Sequence, residues 1–215
     1  MQIFWHGLTS VRIESQHGDQ TAMLVTDPFE TETAGIKFPR SLSPTLVALS
    51  HQRKERFPLN VFETKPFVIA DPGEFEVNGV FAYAIPLTDA THPWPHTLLY
   101  RFEIEGMSVG FLGGADRALT DDELGKLENI DILLLPIGGD DRLSAKQAIE
   151  TISAIEPRVV VPLYHHVEGL KKVLGTADAF CKELGVCQRQ DTNRLKIARK
   201  DLPSEDLLVA VLEKV

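Results

Sequence analysis

Cysteine is scarce in this chain, with two in 215 residues, Cys181 and Cys187. That is too few for a disulfide-built scaffold, and both are expected to pack as ordinary thiols in a reducing setting. Long apolar runs are also missing. One uninterrupted run covers residues 132–137 and none exceeds eight residues, far short of the roughly 20 residues that cross a bilayer. The opening Met1-Gln2-Ile3-Phe4-Trp5-His6 has neither a charged n-region nor an apolar h-region, so a cytoplasmic location and no membrane association are expected. Positive charge is in deficit, 22 Lys and Arg against 31 Asp and Glu, a net charge of −9. A general nucleic-acid binder needs clustered cations in excess, so that class is excluded, although a local basic pocket is not. No Gly-x-Ser-x-Gly elbow occurs, and neither cysteine sits in a recognisable arrangement with a histidine, so nothing supports a covalent nucleophile. Gly138-Gly139 lacks the further glycines and the Lys-Ser/Thr of a phosphate-cradling loop, and reads instead as a close backbone approach.

What is present belongs to an ordinary globular chain, 43% hydrophobic and 25% charged, long enough for one domain with a layered core. Short strand-like runs cover residues 3–5, 11–14, 21–26, 46–50, 67–70 and 80–85, then 97–103 and 107–112 as a hairpin about Glu105-Gly106. Asp27-Pro28 closes the third run because proline cannot donate to a sheet ladder. Residues 30–43 read as a loop, and Asp71-Pro72-Gly73-Glu74 as a turn. Helices enter late. Thr120 with Glu123 and Ser144 with Gln147 have capping-box spacing. Ala145, Ala148, Ile149, Ile152 and Ile155 recur at helical period until Pro157, and a further helix covers residues 176–184 up to Gly185. Apolar runs at 130–136, interrupted by Asp131, and at 159–163 fit strands covered on both faces. Strands around residues 195–198 and 207–212 close the pattern. With no linker or short-period repeat, residues 1–215 are expected to form a single domain, an α/β protein built as an αββα sandwich.

Several segments in order carry a resemblance: Gly7, Asp27-Pro28-Phe29, Ser50-His51, Pro72-Gly73-Glu74-Phe75-Glu76-Val77, Leu112-Gly113, Ile130-Asp131-Ile132-Leu133-Leu134-Leu135-Pro136-Ile137-Gly138-Gly139 and Val160-Val161-Pro162. Together with Asn193-Arg194-Leu195-Lys196-Ile197 and Leu202-Pro203 near the end, they resemble the metallo-β-lactamase-fold hydrolases. The match is to the small single-domain branch related to UlaG-type lactonases, and it runs over nearly the whole chain. The resemblance implies two mixed sheets face to face with helices outside, and a site for one or two divalent metals at the edge between the sheets. Such a metal lowers the pKa of a bound water and polarises the substrate oxygen.

The ligands that the resemblance calls for are largely missing. Its His-x-His-x-Asp-His loop begins at His51 and then reads Arg53, Glu55 and Arg56. Its early Gly-His reads Gly7-Leu8, its mid-chain His-Asp reads Thr88-Asp89, its Gly-Asp reads Gly113-Gly114, and its late Pro-Met-His-Tyr reads Pro162-Leu163-Tyr164-His165. Arginine keeps its proton and offers no lone pair, so Arg53 and Arg56 oppose a cation. The standard dinuclear zinc site is therefore not expected, and neither is any other cofactor. The leading reading is a degenerate member that has lost hydrolysis and binds or supports something else, a small anion held by Arg53 and Arg56 being one possibility. The alternative is a working hydrolase of a phosphoester, lactone or related ester, with a rearranged, single-metal site of zinc or another divalent transition metal drawn from His51, Glu55, Asp116 and His165. A third reading is an architectural subunit of a homo-oligomer. Each residue also has a plainer role. His51 can simply hold its loop, Glu55 can be the counter-ion of the two arginines, and His92, His96 and His165-His166 can be structural, with Trp94 a stiff aromatic between prolines.

Overall fold

The computed structural model describes residues 1–87, 96–185 and 192–215. The first strands are β1 (Gln2–Gly7), β2 (Ser10–His17) and β3 (Gln20–Thr26), followed by a one-turn helix α1 (Thr31–Ala34), β4 (Leu46–Ala48) and β5 (Phe67–Ile69). Then come β6 (Gly73–Val77), β7 (Val80–Pro86), β8 (Leu98–Ile104) and β9 (Met107–Phe111). The second half alternates: α2 (Asp121–Gly125), β10 (Ile132–Pro136), α3 (Ala145–Ile155), β11 (Val159–Leu163), α4 (Ala177–Leu184), β12 (Leu195–Lys196) and β13 (Leu208–Val209).

The strands form a six-stranded sheet, β12-β1-β2-β3-β4-β5, and a seven-stranded sheet, β13-β11-β10-β9-β8-β7-β6. Both are mixed. β12-β1-β2-β3 and β6-β7-β8-β9 are antiparallel, whereas β3-β4-β5 and β9-β10-β11-β13 are parallel. Successive side chains of a strand point to opposite faces, and the burial follows that period. Leu24, Leu46, Ile69, Tyr100, Phe102, Leu134 and Val161 meet between the sheets. Leu133, Leu135 and Val160 turn outward onto Ala148 of α3 and Phe180 of α4. Val25, Val47 and Leu49 turn outward from the other sheet onto Phe38, Leu42 and Phe62.

The αββα class is thus the observed one, with one outer layer thinner than that description implies. α2, α3 and α4 follow the order read from the sequence, and Thr120/Glu123 and Ser144/Gln147 form complete capping boxes. Over the six-stranded sheet the cover is mostly irregular chain, held by Phe38, Leu42 and Phe62 rather than by a long helix. Within the 30–43 loop the chain makes the single turn α1, closed by Gly35 in the left-handed region. Glycine at 73 also misleads. The turn is confined to Asp71-Pro72, and Gly73 already pairs with Ala84 as the first residue of β6. Cys181 is disulfide-bonded, which corrects the expectation of a packed thiol, and its partner lies outside the described residues. Among the described residues no helix is long and apolar enough to cross a membrane.

Parallel strands end together, and here that gathers chemistry at one edge. β3 ends at Thr26-Asp27, β4 leads to Ser50-His51, β10 to Gly138 and β11 to Tyr164. Cross-links tie the two sheets there. Leu98 N–H donates to the Ser50 carbonyl at 2.9 Å, and Tyr164 N–H donates to the Leu8 carbonyl at 2.9 Å.

Candidate functional site

Asp27 is the floor of this edge. It sits at φ +37°, in a backbone region that L residues rarely occupy, and its side chain is buried. One carboxylate oxygen accepts the Thr9 hydroxyl at 2.8 Å and the other accepts the Ser50 N–H at 2.7 Å. Burial raises its pKa, while Ser50, Thr9 and the charge of Arg142 act in the opposite direction. Asp27 therefore links the β2 turn to the start of the His51 loop.

His51 is half-buried beside it. Its Nδ1 accepts the Arg53 N–H at 3.0 Å, which puts the proton of the neutral ring on Nε2. Burial lowers its pKa to about 4, with help from the nearby charges of Arg56, His96, Arg53 and Arg142. The ring lies nearly parallel to that of His96, 5.5 Å between centroids. His51 is thus a neutral imidazole in a positive surrounding.

Further charge at this edge comes from residues that no motif marked. Arg142 donates from Nε to the Gly113 carbonyl at 2.9 Å and from a terminal nitrogen to the Asp141 carbonyl at 2.6 Å. That nitrogen also lies 3.2 Å from the Asp141 carboxylate, and the guanidinium stands 5.5 Å over the Tyr164 ring. Lys172 donates to the Tyr164 hydroxyl at 2.6 Å and to Asp140 and Asp141 at 2.9 Å each. The Tyr164 hydroxyl donates in turn to Asp141. Burial disfavours charge on Asp141, yet Tyr164, Lys172 and Arg142 outweigh it and hold the pKa down at about 2. Burial, then Asp141, raises Tyr164. At neutral pH the cluster therefore sets the Asp141 carboxylate and a neutral phenol against two cations, with Asp140 as a second partner of Lys172.

A cavity of about 420 Å³ opens over these groups, lined by Leu8, Thr9, Asp27, Phe29, Glu55, Arg56, Arg142, Tyr164 and Lys172 among others. Three of its lining residues, Leu8, Asp27 and Tyr164, are non-glycine residues at positive φ. Backbone strain of this kind persists only where the surroundings hold it, and it concentrates at binding sites. Gly138 supports the same rim. A Cβ there would lie 2.0 Å from the Tyr164 carbonyl oxygen, so Gly138→Ala is expected to push Tyr164 out of place. The cost should be about 3 kcal/mol, read as a lowered midpoint in urea unfolding. An unchanged midpoint would show that the two loops do not depend on each other.

The residues singled out from the sequence are dispersed. Arg53 and Arg56 are exposed on the tight turn at Lys54–Arg56, and only Arg56 lines the cavity. Glu55 lines it too, but no ion pair joins it to either arginine among the described residues. Asp116 is exposed. His165 is buried in another place, its ring 4.2 Å from that of Trp5. Thr88, Asp89, His92 and Trp94 lie outside the described residues.

Among the described residues no three His, Cys, Asp or Glu side chains converge as a metal site requires, so His51, Glu55, Asp116 and His165 are not assembled into one. The donor chemistry explains why. Leu8 and Tyr164 line the cavity at two positions where the resemblance called for imidazoles. At Gly114, where it called for a bridging carboxylate, a Cβ would lie 2.8 Å from the Ser50 carbonyl oxygen and 2.7 Å from the Thr97 methyl. Arg142 already holds a positive charge against Gly113, Asp141 and Tyr164. The described side chains do not fit a divalent metal.

The family model described as a beta-lactamase superfamily domain matches residues 2–164. The chain belongs to that superfamily. A protein of Methanosarcina mazei, named a UPF0173 metal-dependent hydrolase, is 25% identical over 201 residues, covering 77% of this chain and 84% of its own. A similarly named protein of Thermoplasma acidophilum is 23% identical, covering 84% and 93%. The crystal structure of a Thermotoga maritima protein superposes with a TM-score of 0.78 and 25% identity over 99% of each chain. It is described as a candidate Zn-dependent hydrolase of the metallo-beta-lactamase superfamily. Superfamily relatives are thus named for metal chemistry, whereas the edge of the sheets here carries Arg142, Lys172 and Tyr164. Arg142 stands three residues past the Gly138-Gly139 pair, which is the nearest sequence signal to it.

Proposed function

We propose that this protein is a binding member of the superfamily, taking a small anion such as a phosphate or carboxylate at the sheet edge without a metal. The observation that carries the reading is Arg142. Two of its nitrogens are fixed by Gly113 and Asp141, while the second terminal nitrogen has no acceptor among the described residues. A guanidinium so positioned presents a preorganised donor to an anionic oxygen, and Arg56 and Thr9 line the same cavity. This replaces the Arg53/Arg56 pair expected from the sequence with an Arg142/Arg56 pair.

Two measurements test it. Protein purified without chelator is expected to hold well under one equivalent of Zn, Mn or Fe by elemental analysis. Calorimetric titration with inorganic phosphate is expected to show binding that Arg142→Ala weakens about 10-fold or more, the scale of losing a hydrogen bond to a charged group. Unchanged binding in that variant overturns the reading.

The second reading is a metal-dependent hydrolase with a rearranged site, acting on a phosphoester, lactone or related ester. The neutral His51 ring stacked on His96 favours it, because two imidazoles meet there and His96 directly follows, in the chain, a segment that carries Asp89 and His92. Stoichiometric metal that is lost in His51→Ala, together with ester hydrolysis, selects this reading over the first.

A further inference from the structure

A second and larger cavity, about 860 Å³, adjoins the first. The two share Phe29, Glu30 and Pro58 as lining residues. Beyond that common wall the character changes. Phe38, Pro39 and Val61 make apolar sides, and Lys37, Arg40 and Lys214 bring three cations. None of the three is in an ion pair among the described residues, although Glu30 and Glu32 also line the cavity. The Glu30 carboxylate accepts the Thr33 hydroxyl at 3.3 Å, and the ammonium of Lys214 donates to the main-chain oxygen of Val215, the last residue of the sequence, at 3.0 Å. Burial and then the charge of Lys37 lower the Lys214 pKa. Two lysines lining one cavity over an apolar wall, with no Asp or Glu carboxylate paired to either among the described residues, form a surface that an anionic group would complete.

Resting on the anion reading above, we infer that the ligand is a two-headed anion with an apolar middle. One head is held at Arg142 and the other between Lys37 and Lys214, and the middle lies across Phe29 and Pro58. Linking two weak charge contacts through one molecule makes the second contact intramolecular, so the gain depends on whether the spacer matches the span. A short acid reaches one head site only, and a matched acid reaches both.

The test is a calorimetric series of straight-chain dicarboxylates from succinate to sebacate, each set beside the monocarboxylate of equal length. The expected result is an optimum length at which the dicarboxylate binds about 10-fold or more tightly than its monocarboxylate. Lys37→Ala, and Lys37→Ala combined with Lys214→Gln, should remove that advantage while leaving monocarboxylate binding in place. Lys37 is exposed, so the single variant stays informative if the double one folds poorly. Monocarboxylate binding with no length optimum, or an optimum unaffected by Lys37→Ala, overturns the two-headed ligand alone. Absence of binding by every mono- and dicarboxylate, and by phosphate, overturns the anion reading and the inference with it.

Discussion

The His6→Leu variant is expected to outlast the parent protein in acid by about 3 kcal/mol at pH 4. His6 is fully buried on β1, its ring edge-on to Phe38 at 5.4 Å between centroids. Neither ring nitrogen has a hydrogen-bond partner among the described residues. Burial, then the charges of Arg12 and Lys214, lower its pKa from 6.5 to about 3. Because the folded value lies below the unfolded one, the stability associated with a neutral His6 is complete above pH 6.5. It is lost as the pH falls from there toward 3, at up to about 1.4 kcal/mol per pH unit. Leucine carries no proton and leaves no unpaired nitrogen, so the variant should also be level with the parent or more stable at pH 7. Urea unfolding of both proteins at several pH values between 7 and 4 measures the difference. Parallel pH dependences would show that His6 is not the acid-sensitive group.

Asp27→Ala is expected to be among the most damaging single changes, costing about 3 kcal/mol or more. It leaves two donors without their acceptor, the Thr9 hydroxyl and the Ser50 N–H, each worth roughly 1–3 kcal/mol when buried and unpaired. Asp27→Asn keeps the shape and an acceptor oxygen, so its cost should be much smaller, and it separates charge from geometry. The sign of the pH effect is opposite to that of His6. Burial raises the Asp27 pKa, so its favourable contribution is fully present below the ordinary carboxylate range and is lost as the pH rises through the raised value. Asp27→Asn should therefore improve relative to the parent as the pH rises above the ordinary carboxylate range. Should it instead fall behind over that rise, the Asp27 charge would be stabilised in place by Arg142 rather than penalised by burial.

Local patterns were legible because short-range physics sets them. The Ser144/Gln147 and Thr120/Glu123 boxes are written in residues three apart, and the apolar runs at β10 and β11 state that both faces are covered. β6 was hidden because Pro72-Gly73 signals a turn, although Gly73 at φ +148° opens a strand. α1 was hidden because four residues carry no periodicity. At the site, His51 and the Gly138-Gly139 approach were visible in order along the chain. Arg142 and Lys172 were not, since each sits in a loop without a motif and topology alone places both beside Tyr164. Arg53 and Arg56 occupy ligand positions in the chain, and the tight turn at Lys54–Arg56 leaves both exposed while only Arg56 lines the cavity.

Gly114 has a practical meaning for anyone wishing to install a dinuclear centre on this scaffold. Grafting the missing imidazoles and a carboxylate one residue at a time would stall there, because the first atom of any side chain at 114 strikes the Ser50 carbonyl and the Thr97 methyl. That carbonyl holds Leu98 at the start of β8, so it cannot give way without loosening the junction of the two sheets. The order of operations is therefore imposed: the backbone around residues 50 and 97 must be rebuilt before any ligand is added, and intermediate variants would be less stable than either end point.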